Sequence, residues 1–397
     1  MNAITDTTPE ALRAAMADRV KQAGYASTST VERVLRTVPR HRFVPDAPLE
    51  DAYADPAVIT KRDTDGTPLS CASEPVVVAM QLDQLAVEPG HNILEIGAGT
   101  GYNAANLAEL TGPNGHVTTV DIDPDVTARA RAVLDANGYS HVQVITRDGS
   151  LGAPENAPYD RVIVTVGAFD IPQDWCRQLA PGGRLVVPLR WRGQTRSVTF
   201  VRDDDALRSD SVLLCGFVPM IGQDSEVTGT IDTAGHVSLY WDSDQDINIT
   251  TLNRVLDHPK THAWSGITVG GTESFDGIWL RMTATQPGTC RINADATAVA
   301  EDLCTPIIPS RSPALVDGAS LAYLAYRRTD QGAELGAISH GPAAAELAQR
   351  LCAEIQAWNQ TRTAEPAITI HPTNTPEDQL DADRIITKRW CRMTLSV

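Results

Sequence analysis

Glu95-Ile96-Gly97-Ala98-Gly99-Thr100-Gly101-Tyr102 ends a short apolar run, Asn92-Ile93-Leu94-Glu95-Ile96, and opens a stretch with helical spacing. A strand that runs into glycines and hands over to a helix makes a backbone cradle. Without Cβ atoms the chain can approach a ligand closely. A dinucleotide fingerprint would need its third glycine at position 102, where this chain has Tyr102. The G-x-G-x-G spacing therefore favours a ligand without a pyrophosphate.

Outward from the loop, helix and strand alternate. An apolar helix over Val76–Leu85 leads through Pro89-Gly90 into the first strand. After the helix that starts at Tyr102 come strand His116–Val120, helix Pro124–Asn137, strands Val142–Thr146 and Arg161–Val166, helix Gln173–Leu179 and strand Arg184–Pro188. Strands separated by helices of this length predict a doubly wound α/β domain, its parallel sheet covered on both faces.

Two acids stand at strand ends where an adenosine ligand would meet them. Asp121, followed by Ile122, ends the second strand within reach of ribose hydroxyls, and Asp148-Gly149 follows the third, where an adenine amino group could lie. A carboxylate only accepts hydrogen bonds, so each suits a donor group. The candidate cofactor-binding residues are thus Glu95, Gly97, Gly99, Gly101, Asp121, Ile122, Asp148 and Gly149.

The chain has 397 residues, more than the usual domain of about 100 to 200. We expect an N-terminal helical segment with a mouth loop over residues 1–74, a cofactor-binding domain over 75–225 and a smaller α+β accessory domain over 226–397. In the first, helices at 9–24 and Thr30–Val38 precede a loop-like stretch to Leu69. The acidic run Asp224–Asp246 reads as a connection or an irregular loop. Further on, helix Pro342–Asn359 carries Leu347, Leu351, Ile355 and Trp358 on one stripe, as core or as a docking groove. Pro366–His371 and Arg384–Leu395 read as strands.

A formal charge of −17 and a pI near 4.9 set a net repulsion against nucleic-acid phosphates and anionic lipid, so neither is an expected partner. A small or peptidic substrate fits better. The seven cysteines form no C-x-x-C pair and read as reduced thiols rather than zinc ligands. His258 and His262 have i, i+4 spacing, but Pro259 between them favours a structural role, and no metal is expected. The N-terminus lacks a basic-then-apolar signal and no run of about 18 apolar residues occurs, which points to the cytoplasm. No G-x-S-x-G elbow, Walker loop or H-E-x-x-H is present.

Over residues 19 to 220 the chain resembles class I methyltransferases dependent on S-adenosylmethionine (SAM), and within them the protein L-isoaspartyl O-methyltransferase family. The resemblance rests on Val38-Pro39-Arg40-His41-Arg42-Phe43-Val44-Pro45, Ala52-Tyr53, Ser73-Glu74-Pro75, the glycine loop, Gly138-Tyr139, Arg147-Asp148-Gly149-Ser150-Leu151-Gly152 and Tyr159-Asp160-Arg161-Val162-Ile163-Val164-Thr165. It implies a seven-stranded, mostly parallel Rossmann-like methyltransferase sheet, SAM as cofactor and carboxyl O-methylation. It also places Ser73 beside the substrate carboxylate as the candidate catalytic residue, with Leu69, Ser70, Cys71 and Ala72 lining the same mouth. A helix N-cap is the alternative role for Ser73.

Two departures bear on the substrate. The family's compact loop of form L-P-I-G-x-G-Q-T-I-S is replaced by Val58–Ser73, in which Lys61 and Arg62 add positive charge that suits an acidic peptide or is simply solvated. The extension after about residue 225 is absent from ordinary repair enzymes. This layout is similar to the methyltransferases of ribosomally made, lanthipeptide-associated peptides, the FxLD system. That likeness implies a precursor peptide as partner, a normal aspartate as target and a succinimide or isoaspartate as product; repair of isoaspartate is the alternative.

Overall fold

The computed structural model describes residues 8–223, 226–330 and 332–397. Residues 1–7 of the expected N-terminal segment, and the expected boundary at residue 225, lie outside the described residues. The chain divides into two compact units. One comprises Met1–Leu189, Thr195–Gln223 and Ile370–Pro372, the other Arg190–Gln194, Asp224–Thr369 and Thr373–Val397.

In the first unit, the side chains of Thr8 and Thr28 cap α1 (Pro9–Gln22) and α2 (Ser29–Thr37). Both helices bury their apolar faces in the core, through Met16 and Val20 and through Val31, Val34 and Leu35. A short α3 (Leu49–Ala52) follows. The stretch read as loop up to Leu69 is instead a hairpin, β1 (Val58–Arg62) paired antiparallel with β2 (Pro68–Ala72). Its turn is closed by Gly66 N–H donating to the Asp63 carbonyl at 3.0 Å. Strands this short carry too few periods to register in sequence.

Helix α4 (Pro75–Leu85) then leads into the alternating run: β3 (Asn92–Ile96), α5 (Tyr102–Thr111), β4 (His116–Asp121), α6 (Pro124–Ala136), β5 (Gln143–Thr146), β6 (Tyr159–Val164), α7 (Gln173–Gln178), β7 (Leu179–Trp191), β8 (Gln194–Asp203) and β9 (Ala206–Leu214). β3 is paired in parallel with both β4 and β6, β4 with β5, and β6 with β7. The strand order β9-β8-β7-β6-β3-β4-β5 reverses direction beside β3, and the crevice at the carboxyl ends of strands there is where such sheets bind ligands.

The ladder runs to ten strands, not the expected seven. Beyond β9 it continues into a strand near the C-terminus, of which Ile370–Pro372 belongs to this unit. β7 also starts earlier than the expected Arg184, because Leu179–Gly183 is taken into the strand.

The second unit holds a seven-stranded sheet of β10 (Glu226–Thr230), β11 (Val237–Asp242), β12 (Thr261–Val269), β13 (Thr289–Ala294), β14 (Ser312–Asp317), β15 (Ser320–Thr329) and β16 (Gly332–His340), ordered β10-β11-β13-β14-β15-β16-β12. β10 and β11 lie inside the Asp224–Asp246 run read as a connection. Val237, Leu239 and Trp241 alternate inward there. The helix over Ala344–Gln360 buries Leu347, Leu351, Ile355 and Trp358 against Leu324 and Ala337, so its stripe is core and offers no docking groove. The single strand expected over Arg384–Leu395 is a hairpin of Arg384–Thr387 with Cys391–Ser396.

Candidate active site

At the end of β3 the chain turns through Gly97, Gly99 and Gly101, with φ of +103°, +50° and +80°, conformations that L side chains rarely adopt. The turn is held from both neighbouring strands. Gly97 N–H donates to the Val120 carbonyl at 2.8 Å, and the Thr165 hydroxyl, just past β6, donates to the Gly97 carbonyl at 2.8 Å. A Cβ on Gly97 would stand 2.5 Å from that hydroxyl oxygen. Thr165 was quoted in the motif series without a role; its place at a strand end beside the glycine turn was the available signal.

Asp121 ends β4 and accepts from Gly99 N–H and Asp123 N–H, both at 3.2 Å. Burial raises its pKa against the pull of these donors. Behind the loop Glu95 is fully buried. One of its oxygens accepts from Asn103 Nδ2 at 2.8 Å and Oε2 has no partner, while burial pushes its pKa up to about 7. Asn103, in the first turn of α5, was missed because nothing in sequence singles out an amide there.

The Asp148–Leu151 turn is pinned from outside. Trp175 Nε1 donates to the Gly149 carbonyl and Gln178 Nε2 to the Leu151 carbonyl, each at 2.8 Å, and Arg147 meets Glu155 through two bonds of 2.8 and 2.9 Å. Gly149 is buried, and a Cβ there would lie 2.6 Å from Ile96 Cγ2. One Asp148 oxygen takes Ser150 N–H at 2.9 Å. Ile122 and Leu151, 44% and 49% exposed, leave two apolar surfaces after β4 and β5.

One narrow cleft brings together Leu69, Ser70, Cys71, Ala72, Ser73, Gly97, Gly99 and Asp121, with Gln81, Asn103, Thr165 and Val218 completing its wall. Glu95, Gly101, Ile122, Asp148 and Gly149 are not part of its lining; Glu95, Gly101 and Ile122 lie close to lining residues in sequence, whereas Asp148 and Gly149 belong to the separate turn after β5. Ser73 does not cap α4: Glu74 holds the cap position and no side chain caps that end. Its hydroxyl is set against the Cys71 thiol, whose pKa burial raises. Ser73 is fixed through its backbone by Arg40, a fully buried guanidinium that donates to the carbonyls of Ala52 at 2.8 Å, Ala72 at 3.2 Å and Ser73 at 2.8 Å.

Lys61 is not free for a peptide, since it pairs with Asp123 and lies 3.6 Å from Asp125; Arg62 donates to the Gly66 carbonyl inside the hairpin. His262 sits in strand β12 and His258 after a short 3-10 turn, so the two share no helix. Among the described residues no group of three or more His, Cys, Asp or Glu gathers as a metal site, and no helix is long and apolar enough to cross a membrane.

The arrangement fits an adenosine-bearing sulfonium: bare backbone at the turn, an unpartnered buried carboxylate oxygen behind it, and acids and apolar surfaces at the next two strand ends. Comparison with known proteins points the same way. Residues 11–225 match the family described as protein-L-isoaspartate(D-aspartate) O-methyltransferase. The protein-L-isoaspartate O-methyltransferase of Methanopyrus kandleri is 39% identical over 215 residues, which is 53% of this chain and 92% of that protein. That of Hyperthermus butylicus is 39% identical over 221 residues, 53% and 89% of the two chains. A solved structure titled protein-L-isoaspartate O-methyltransferase shares the fold at a TM-score of 0.51 and 19% identity, covering 90% of this chain and 96% of its own. Coverage that wide reaches past residue 225, so a C-terminal extension does not by itself set this chain apart from proteins so titled.

Proposed function

This chain belongs to the protein-L-isoaspartate(D-aspartate) O-methyltransferase family, and from that premise we propose that it esterifies the side-chain carboxylate of a normal aspartate in a ribosomally made precursor peptide. As a family member it is a SAM-dependent carboxyl methyltransferase. SAM supplies an electrophilic methyl group on a positively charged sulfur.

The chain's own residues have three tasks in this reading. Backbone at Gly97, Gly99 and Gly101 receives the cofactor, Asp121 accepts from its ribose hydroxyls and Asp148 from its adenine amino group, with Ile122 against the adenine face and Gly149 giving close approach. Glu95 holds Asn103 towards the cleft. Ser73 donates its hydroxyl to one oxygen of the substrate carboxylate and so aims the other, in a mouth formed by Leu69, Ser70, Cys71 and Ala72. A carboxylate is a nucleophile already, so no general base is needed; the oxygen–carbon bond forms as the carbon–sulfur bond breaks and its electron pair returns to sulfur. Positioning and exclusion of water do the work. The ester then lets the following backbone nitrogen close a succinimide with loss of methanol, and hydrolysis gives aspartate or isoaspartate.

What supports the choice of a normal aspartate is the β1–β2 hairpin, Val58–Ala72, at the place where the resemblance leads one to expect a compact loop. In this reading the second unit holds the precursor, its edge strands β10 and β12 offering main-chain pairing. A second reading, repair of isoaspartyl damage, is favoured by the 39% identity to enzymes of that name over nearly their full length. Incubation with SAM and matched aspartyl and isoaspartyl peptides, read by mass spectrometry, separates them. Mass gain by methyl and then loss of methanol on aspartyl peptides supports the first; modification of isoaspartyl peptides alone replaces it with the second.

A further inference from the structure

A second cavity of about 620 Å³ opens beside the cleft, under β1 and against α6. It shares Ser70, Gly99 and Thr100 with the cleft, so whatever enters it lies next to the reacting groups. Its apolar wall is formed by Phe43, Val44, Val58, Ile59, Val126 and Val133, while Asp46, Thr60, Lys61, Asp125 and Arg129 bring polar groups to it; its volume is that of a pocket for a large side chain or a small molecule. Ile122 and Leu151, flanking the expected adenine position, are not part of it.

The polar groups at the rim differ in availability. Lys61 is committed to Asp123 and Asp125. Arg129, one turn beyond Asp125 on α6, lines the cavity and has no hydrogen-bond or ion-pair partner among the described residues. An unpaired guanidinium at the edge of an apolar hole, on a chain of net charge −17, suits a ligand with an apolar body and a neighbouring carboxylate.

We propose that this cavity is a specificity subsite that takes a large apolar side chain flanking the target residue of the peptide, with Arg129 binding an acidic group next to it. The assignment rests on the peptide-carboxylate reading above. The β1–β2 hairpin then has a purpose: Val58 and Ile59 supply one wall of a pocket that sorts peptides by what surrounds the reactive carboxylate.

The test compares two synthetic peptides that differ only in one residue beside the methylated position, phenylalanine or glycine, using the full chain and radiolabelled SAM. Burial of the phenylalanine should favour it about tenfold in kcat/KM through KM. Ala132→Trp, at an exposed helix position lining the cavity, should fill the hole and bring the ratio near one. Arg129→Glu should reverse the preference for an acidic over a basic residue at the adjoining position. A change in overall stability would lower both peptides alike and leave these ratios unmoved. Equal KM values in the wild-type enzyme, or a ratio untouched by Ala132→Trp, would overturn the subsite while leaving the function intact. No transfer to either peptide, nor to an isoaspartyl control, would remove the functional reading and the subsite with it.

Discussion

Arg40 Nη2 donates to the Ser73 carbonyl at 2.8 Å, tying the first turn after α2 to a residue that lines the cleft. The same guanidinium spans to Ala52 and Ala72 and lies 5.0 Å from the centre of the Tyr102 ring. It meets no carboxylate. Carbonyl dipoles meet its Nε and Nη2, Nη1 is buried without a partner among the described residues, and burial lowers its pKa. Arg40→Met would strand three buried carbonyls, and the expected cost is roughly 3 kcal/mol. Arg40→Lys should recover only part, because one ammonium cannot span three acceptors. Denaturant titration of both variants measures this; a Met variant as stable as wild type would show the carbonyls re-pair without it.

Ser73→Ala isolates the hydroxyl from the backbone contact. Since Ser73 does not cap α4, the melting temperature should stay within about 1 °C, given that a surface-type substitution moves stability by less than about 0.5 kcal/mol. kcat should fall about tenfold or more if the hydroxyl aims the carboxylate. Calorimetry and steady-state assays read the two separately, and a fall in stability with unchanged kcat would return Ser73 to a structural role.

What was legible in the sequence follows from how many residues carry each signal. The glycine turn, β3 and α6 were readable because apolar periodicity and Gly or Pro punctuation agree over long stretches. The β1–β2 hairpin was not, since five-residue strands around Asp63–Thr67 look like their own turn. β10 and β11 were hidden by composition: acids in the flanking turns, such as Asp232, Asp244 and Asp246, outweighed the alternation of Val237, Leu239 and Trp241. At the site, residues whose type alone suggests a role, such as Gly99 and Asp121 on the wall of the cleft, stood out. Those that act by holding a neighbour, such as Arg40 on Ser73 or Thr165 on Gly97, depend on contacts between distant segments that no local pattern encodes.

Glu95 gives the protein without cofactor a distinctive pH response. Burial raises its folded-state pKa from the usual 4.5 to about 7, so between these values the folded state holds a proton that the unfolded chain has released. Stability therefore falls as pH rises through this window, by up to about 3 kcal/mol, and stays reduced above it. Glu95→Gln cannot ionise and should remove that slope. Relative to wild type it should be more stable at pH 8 than at pH 5. Urea midpoints at the two values test this, and parallel behaviour of the two proteins would show that Glu95 keeps an ordinary pKa.

Substitutions at two glycines of the cofactor turn should separate binding from folding. At Gly97 a Cβ would meet Thr165 Oγ1 at 2.5 Å, so Gly97→Ala must push a strand-end residue aside and should lower stability along with cofactor affinity. At Gly99 the nearest atom to a Cβ is the Cys71 carbonyl at 3.5 Å, an ordinary contact. The positive φ of +50° there costs a β-branched residue about 1 to 2 kcal/mol, which a domain of this size can absorb. The added methyls, however, enter the cleft that Gly99 lines, the space assigned to the cofactor in the proposed function. Gly99→Val should keep the fold and weaken SAM binding by about 100-fold, equivalent to roughly 2.7 kcal/mol. Calorimetric titration with SAM alongside circular dichroism reads both effects; unchanged affinity in a folded Gly99→Val protein would mean that the ligand does not rest on this turn.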